Sequence, residues 1–324
     1  MSILIKSGVK LLRNIEGYNF MPKLNEVDAL DIVNLLEGKI LQLGYERFDV
    51  LRMSQLEKLK YIEREILSTS FLNNNISAYY KKKDYTDILV NDTDHLVISK
   101  SSRKKDLESL YKMCFEVEDA LSKEVSFAFD SELGYLTTRP INAGTGLIIS
   151  HKLHLPALSF YGIDSISKSL LRLGYNLNAY RDSKGKILGA MYSLFFETTI
   201  GYSEDSYIKK MNTIVKEIIS MENEAQKKLY LDSIITLEDM VNRSLGVLRN
   251  ARVLSEEEMM NCMSNIDLGI KLSILKANRD FDFYDEMMKL RNGYLQYERG
   301  SILDLKSRNI LRANKSRALM KEVF

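Results

Sequence analysis

Apolar residues along this 324-residue chain follow two periods, one helical and one alternating. Between about 27 and 70, Val27, Leu30, Ile32, Val33, Leu35 and Leu36 recur at roughly helical spacing. Leu56 to Leu67 repeats the pattern, so the whole stretch is predicted to be helical. Asn73-Asn-Asn-Ile-Ser and Lys81-Lys-Lys-Asp then read as polar turns. Asp87-Ile-Leu-Val-Asn and His95-Leu-Val-Ile-Ser are short and rich in β-branched residues, which predicts strands. Leu107 to Leu121 predicts an amphipathic helix, and Gly134-Tyr-Leu-Thr-Thr and Leu147 to Leu155 alternate as strands do. A helix is expected over Asp164 to Leu173, with Asp164 or Ser165 as its cap. Leu177 to Arg181 and Ile187 to Phe196 read as a hairpin turning at Gly185. Ser203-Glu-Asp opens a long helix that passes Ser220, and from about 222 onward every segment reads helical. Leu237 to Leu248 and the stretch begun by Ser255 are the strongest of these.

This order predicts an α+β protein: residues 1–221 as a domain with a mostly antiparallel sheet flanked by helices, and 222–324 as a helical domain. Composition narrows the partners. Charged residues make up 28% of the chain but balance to a net +2, which argues against a nucleic-acid coat. No apolar run approaches the roughly 18 residues of a membrane span. The first residues lack the basic region and long apolar core of a secretory signal. Cys114 and Cys262 stand far apart without a paired motif, which fits a reducing cytoplasm.

Candidate chemistry sits in Leu133-Gly-Tyr-Leu-Thr-Thr-Arg-Pro-Ile-Asn-Ala-Gly-Thr-Gly-Leu147 and Leu153-His-Leu-Pro-Ala-Leu158. These segments resemble the signature of the phosphagen (ATP:guanido) kinase family, roughly Leu-Gly-Tyr-Leu-Thr-x-Cys-Pro-x-Asn-x-Gly-Thr-Gly-Leu-Arg-Ala-Ser. The resemblance extends to Leu237-Glu-Asp-Met-Val-Asn-Arg-Ser-Leu-Gly-Val-Leu-Arg-Asn-Ala-Arg252, Ile266-Asp-Leu-Gly269 and Asn292-Gly-Tyr-Leu-Gln296, features of its bacterial protein-arginine kinase branch.

The resemblance implies a site whose reacting groups are gone. Phosphoryl transfer depends on positioning and on cations around a spread phosphoryl charge, which the family supplies with arginines. Here the cysteine position holds Arg139, and the phosphate arginines fall on Gly8, Lys10, Val97, Ile148 and Asn178. The two carboxylates that orient the guanidinium fall on Thr93 and Ser183. The expectation is therefore a catalytically inactive member needing no cofactor. The alternatives are an active ATP- and magnesium-dependent arginine kinase whose site is rebuilt around Arg139 or Arg181, and a purely structural subunit.

Other residues carry competing readings. His151 and His154 lie three apart on a predicted strand and so point to opposite faces; with no Cys or carboxylate nearby in sequence, no metal site is expected. Gly144-Thr-Gly146 lacks the Lys-Ser/Thr pair of a phosphate loop and is expected to persist as backbone geometry. Asp92 and Asp94 read as turn residues. Near the C-terminus, Arg308-Asn-Ile-Leu-Arg-Ala313 resembles the Arg-Asp-x-x-Arg-Ala motif with which the arginine kinase grips phosphoarginine. Arg308 and Arg312 at i and i+4 share a helix face, with Asn309 in place of the acid and Ala313 beside them. An ordinary basic helix is the other reading. The resemblance further implies a homodimer or a heteromer with an active arginine kinase or its activator. Phosphoarginine proteins and a Clp ATPase are possible partners, and neither nucleic acid nor a membrane is expected.

Overall fold

The computed structural model describes residues 3–182, 184–196 and 200–324. It opens with strand β1 (Leu4–Arg13), then α1 (Glu26–Gln42), β2 (Glu46–Phe48), α2 (Gln55–Glu63) and α3 (Thr69–Leu72). Strands β3 (Ala78–Lys81), β4 (Asp87–Val90) and β5 (Leu96–Ser102) lead into α4 (Leu107–Leu121). A two-residue pair, β6 (Phe129–Asp130) and β7 (Gly134–Tyr135), precedes β8 (Leu147–His154), α5 (Pro156–Tyr161) and α6 (Asp164–Arg172). The hairpin β9 (Tyr175–Arg181) and β10 (Ile187–Phe196) follows. The remainder is helical: α7 (Glu204–Asp232), α8 (Ile234–Asn250), α9 (Glu256–Lys271), α10 (Phe283–Lys289), α11 (Asn292–Arg299) and α12 (Leu305–Val323).

Eight strands form one antiparallel sheet in the order β2-β3-β4-β5-β1-β8-β10-β9. Side chains alternate across it. Val9, Leu11, Ile98, Leu147, Ile149 and Leu194 enter the main core with α1, α4 and α7. Burying that face is the dominant stabilising term, at about 25 cal/mol per Å² of apolar surface. The opposite face carries two smaller apolar clusters with a polar cleft between them. One packs Leu12, Leu89 and Val97 under Leu67, Phe71 and Leu72. The other packs Ile5 and Met191 under α9, α10 and α12. The register shifts between Leu4 and Lys6, a bulge that breaks the strict alternation where Ile5 joins the second cluster.

Local chemistry explains most boundaries. Asn25, Ser54, Asp106, Ser203 and Ser255 each accept a backbone N–H at the head of their helices. Gly185 turns the hairpin at φ +82°. The expected continuous helical stretch over 27–70 is broken. Gly44 at φ +81° ends the first helix, and the edge strand β2 follows before α2 begins. The buried stripe of α1 is Ala29, Ile32, Val33, Leu36 and Ile40, while Val27, Leu30 and Leu35 face solvent. Neither Asp164 nor Ser165 caps α6, since both lie inside it and Ile163 holds the cap position without a side-chain bond. The strand expected over 134–138 shrinks to two residues because Leu136 and Thr138 donate to Ala128 and Asp94 instead.

Candidate functional site

The retained parts of the signature make a structural knot. Arg13 is buried; its Nε donates to Glu118 Oε1 at 2.8 Å and its Nη1 to the carbonyls of Leu12 and Thr145. Its guanidinium lies over the Tyr135 ring, 3.5 Å from the centroid. Gly146 sits at φ +59°, and a Cβ there would stand 2.6 Å from the Leu12 carbonyl oxygen and from Arg13 Nη1. A Cβ on Gly134 would meet the backbone of Gly144 at 2.6 Å. Asp94 accepts from Asn14 Nδ2 and from the Thr138 N–H, and Asn14 Oδ1 accepts from the His95 N–H. His95 Nδ1 accepts from the Ile15 N–H, which leaves Nε2 to donate to the Asn19 carbonyl and makes the ring neutral. Burial lowers its pKa, outweighing the Asn19 contact and the charge of Asp94. Glycine-threonine-glycine and Asp94-His95 are thus held by packing and hydrogen bonds, as backbone geometry.

The degenerate positions converge on the cleft face of the sheet. Lys10 is in register with Ile148 and Ser99, Leu12 with Val97, Gly8 with Ser150 and Ser101, and Asn178 with Ser193. Residues in antiparallel register share a face, so Gly8, Lys10, Val97, Ile148 and Asn178 all belong to it. Val97 is buried and Ile148 partly buried in the apolar cluster with Leu67 and Phe71. Thr93 is exposed in the turn before β5. Ser183 lies outside the described residues. Arg139 is exposed before a short turn of helix at Pro140–Asn142, and its carbonyl accepts from Thr137 Oγ1 at 2.8 Å. Arg181 is tied into its own hairpin, donating to the Gly185 carbonyl at 2.7 Å.

Sequence reasoning missed three groups in the cleft itself. A cavity of about 160 Å³ opens over Gly8, bordered by Lys6, Lys10, Lys152, Ser101 and Ser150. Glu65, from the connection between α2 and α3, reaches into it. Its carboxylate lies 2.7 Å from Lys152 Nζ and 3.8 Å from Lys6 Nζ and accepts from the Tyr180 hydroxyl. Burial works to raise the Glu65 pKa, but Lys152, Tyr180 and Lys6 outweigh it and hold the carboxyl below its usual range. Burial, with Lys152 beside it, brings Lys6 down to about 8. Burial raises the Asp92 pKa against the pull of Lys10 and Ser68. The sequence signals were Lys6 and Lys152 at alternate-face positions of two strands, but nothing local places Glu65 above them.

His151 and His154 do point to opposite faces. Ser7 Oγ lies 2.9 Å from His151 Nδ1, whereas His154 Nε2 lies 2.7 Å from Ser264 Oγ on α9. The expectation that no carboxylate stands near is corrected: Asp267 Oδ2 is 3.0 Å from His154 Nδ1 and pairs with Lys271. The α9 segment packs on β10, bringing together residues over a hundred positions apart.

Arg308 and Arg312 are engaged separately within the protein. Arg312 is fully buried; its Nε donates to the Leu290 carbonyl, Nη1 to the Leu254 carbonyl and Asn309 Oδ1, and Nη2 to Asn292 Oδ1. Burial lowers its pKa, outweighing Glu256. Arg308 donates to the Leu303 carbonyl, and Ala313 is core. α12 turns this face onto α8 and the loops flanking α9 and α10, where the Leu290 and Leu254 carbonyls accept from Arg312.

Comparison with known proteins fits this geometry. The family model described as ATP:guanido phosphotransferase, C-terminal catalytic domain, matches residues 31–225. The chain belongs to the ATP:guanido phosphotransferase family. The model of the protein-arginine kinase McsB C-terminal domain matches residues 234–323. The chain is 30% identical to a protein-arginine kinase of Clostridium acetobutylicum over 96% of its length and 94% of the relative's. Against that of Geobacillus thermodenitrificans the values are 32%, 96% and 88%. Among solved structures, the duplicated taurocyamine kinase of Schistosoma mansoni aligns with TM-score 0.63 at 16% identity. That alignment covers 86% of this chain and under half, 47%, of the duplicated one. Lombricine kinase aligns with TM-score 0.59 at 15% identity, covering 68% and 66%. These likenesses support the fold. On the cleft face, Val97 and Ile148 are built into an apolar cluster, and Lys152 and Lys6 pair with Glu65.

Proposed function

We propose that the chain is a catalytically inactive member of the protein-arginine kinase branch, acting as a binding or regulatory protein. The observation that carries this is the split within one signature. Residues that hold the fold, Arg13, Asn14, Asp94, His95 and Gly146, are present and engaged. Positions that would handle phosphate and guanidinium hold Gly8, Val97, Ile148, Asn178, Thr93 and Ser183. An arginine that stabilises a transferring phosphoryl group is worth roughly 10³ to 10⁵ in rate, so the loss of several leaves no transfer. Arg181 is occupied by its own turn, which supports this reading over a rebuilt site. By resemblance, the setting is the cytoplasmic Clp protease and heat-shock system, with an active arginine kinase or its activator as partner and ATP and magnesium dispensable.

The test is direct. Purified protein is incubated with ATP, magnesium and casein, and acid-labile arginine phosphate is measured by mass spectrometry. No product above background is expected. Product that disappears in Arg139→Ala or Lys10→Ala would overturn the reading in favour of a rebuilt site.

A further inference from the structure

Helix α1 carries apolar residues on two faces. Ala29, Ile32, Val33, Leu36 and Ile40 are buried. On the side turned away from them, Val27, Leu30 and Leu41 are 77%, 55% and 46% exposed. Asn34 and Gly38 lie between these three and are exposed as well. At about 3.6 residues per turn, all five positions fall within about 40° of Asn34 and form one stripe about 20 Å long. The stripe holds no charge. The carboxylates that flank it are already matched within the chain. Asp31 accepts from the Tyr18 hydroxyl, and Glu37 accepts from Arg47 Nη1 at 2.8 Å and from the Tyr80 hydroxyl at 3.2 Å.

Gly38 has no explanation in the packing of a single chain. Its backbone is helical, and a Cβ there would meet nothing within 4 Å. Glycine inside a helix is destabilising relative to alanine. What it offers at an exposed position is room for a bulky group to approach the helix backbone.

The stripe is symmetric about Asn34. Leu30 and Gly38 stand four residues to either side of it, and Val27 and Leu41 seven. Two copies of α1 packed antiparallel about a two-fold axis at Asn34 set the two Asn34 amides together. Each Leu30 then lies beside the other copy's Gly38, a large side chain against none, and each Val27 beside the other copy's Leu41. A polar residue within an apolar seam fixes register, and two amides can hydrogen-bond across the axis. The charges favour the same direction. Glu26 and Asp28 make the head of α1 acidic. At its tail Lys82 Nζ donates to the Leu43 carbonyl, and Arg47 has 47% of its side chain exposed above Glu37. Antiparallel packing brings each acidic head to the other copy's Arg47 and Lys82 and opposes the two helix dipoles.

We propose that the outer face of α1 binds a second copy of this chain as an antiparallel helix pair centred on Asn34. This face lies outside both the cleft and the C-terminal helices, so the pairing is independent of whether the chain transfers phosphate. One helix pair is smaller than the roughly 800 Å² per partner of a stable interface, so the dimer is reversible and forms at micromolar concentrations.

Sedimentation velocity on the full chain between about 1 and 100 μM should show monomer giving way to dimer. Leu30→Glu places a charge in the seam and should weaken association by about tenfold or more. Gly38→Gln should weaken it too, yet raise the melting temperature of the dilute protein by removing a glycine from a helix. That opposite movement separates a lost contact from lost folding. Oxidation reads the direction. Asn34→Cys should cross-link to itself and Val27→Cys should not, whereas a mixture of Val27→Cys and Leu41→Cys should cross-link. The natural Cys114 and Cys262 are buried and do not compete. A monomer at every concentration would leave the stripe to a different protein and overturn the proposal. A dimer indifferent to both Leu30→Glu and Gly38→Gln overturns it as well, as does Val27→Cys cross-linking to itself as readily as Asn34→Cys.

Discussion

Arg13 and Glu118 form an ion pair at 2.8 Å with only 2% and 4% of their side chains exposed, joining the end of β1 to the last turn of α4. Removing one partner of such a pair leaves an uncompensated buried charge, at a cost of about 3–5 kcal/mol. Glu118→Ala should therefore destabilise the fold by that amount in urea unfolding. Glu118→Gln, which keeps an acceptor, should lose less. Equal losses for the two would show that the charge is immaterial.

Arg312 should behave as a structural residue. Arg312→Ala strands the carbonyls of Leu290 and Leu254 in the interior, at roughly 1–3 kcal/mol per unsatisfied group. The melting temperature should fall without any ligand present. Arg308→Ala should stay within about 1 kcal/mol of the natural protein. An unchanged melting temperature in Arg312→Ala would return the pair to a binding role.

Acid should weaken the fold through His151. Burial pushes its pKa from 6.5 down to about 4. As pH falls below 6.5 the unfolded chain binds the proton first, so the contribution is complete above 6.5 and is lost toward pH 4. One such group accounts for about 3 kcal/mol at most. The pKa values of His95 and His154 are also lowered by burial and act in the same direction. His151→Gln should lose less stability than the natural protein between pH 7 and 4.5, compared by urea midpoints. Parallel losses would contradict the assignment.

Gly146→Ala should destabilise by more than 1 kcal/mol, because a left-handed backbone and a 2.6 Å approach to the Leu12 carbonyl act together. Gly185→Ala, with open space around it, should suffer the backbone effect alone. Thermal unfolding of the two variants compares them, and equal shifts would remove the steric part of the argument.

What could be read from the chain follows from range. The bounds of α4 and the hairpin turn at Gly185 depend on neighbours within a few residues, and periodicity and caps reveal them. The signature around Gly146 was recognisable because packing holds its residue types in place. Glu65 over Lys6 and Lys152, and Asp267 beside His154, depend on segments brought together only by the fold. The contacts of Arg312 were hidden for a related reason. A basic residue on an amphipathic helix looks solvent-directed until the carbonyls that claim it are known. Val27 and Leu30 erred the other way, apolar residues on a helix whose buried stripe lies one face over.

The place of β1 in the sheet has a consequence for how the chain folds during synthesis. It precedes both strands that flank it, β5 and β8, so one edge cannot pair until the chain has been made as far as Ser102 and the other until His154. Until β8 is made, Ile3, Ile5, Val9 and Leu11 belong to an apolar segment with an open hydrogen-bonding edge, the kind of surface that associates with other chains. Ribosome-bound chains stopped before Leu147 should be held by chaperones or aggregate, whereas longer ones bury this strand in the centre of the molecule.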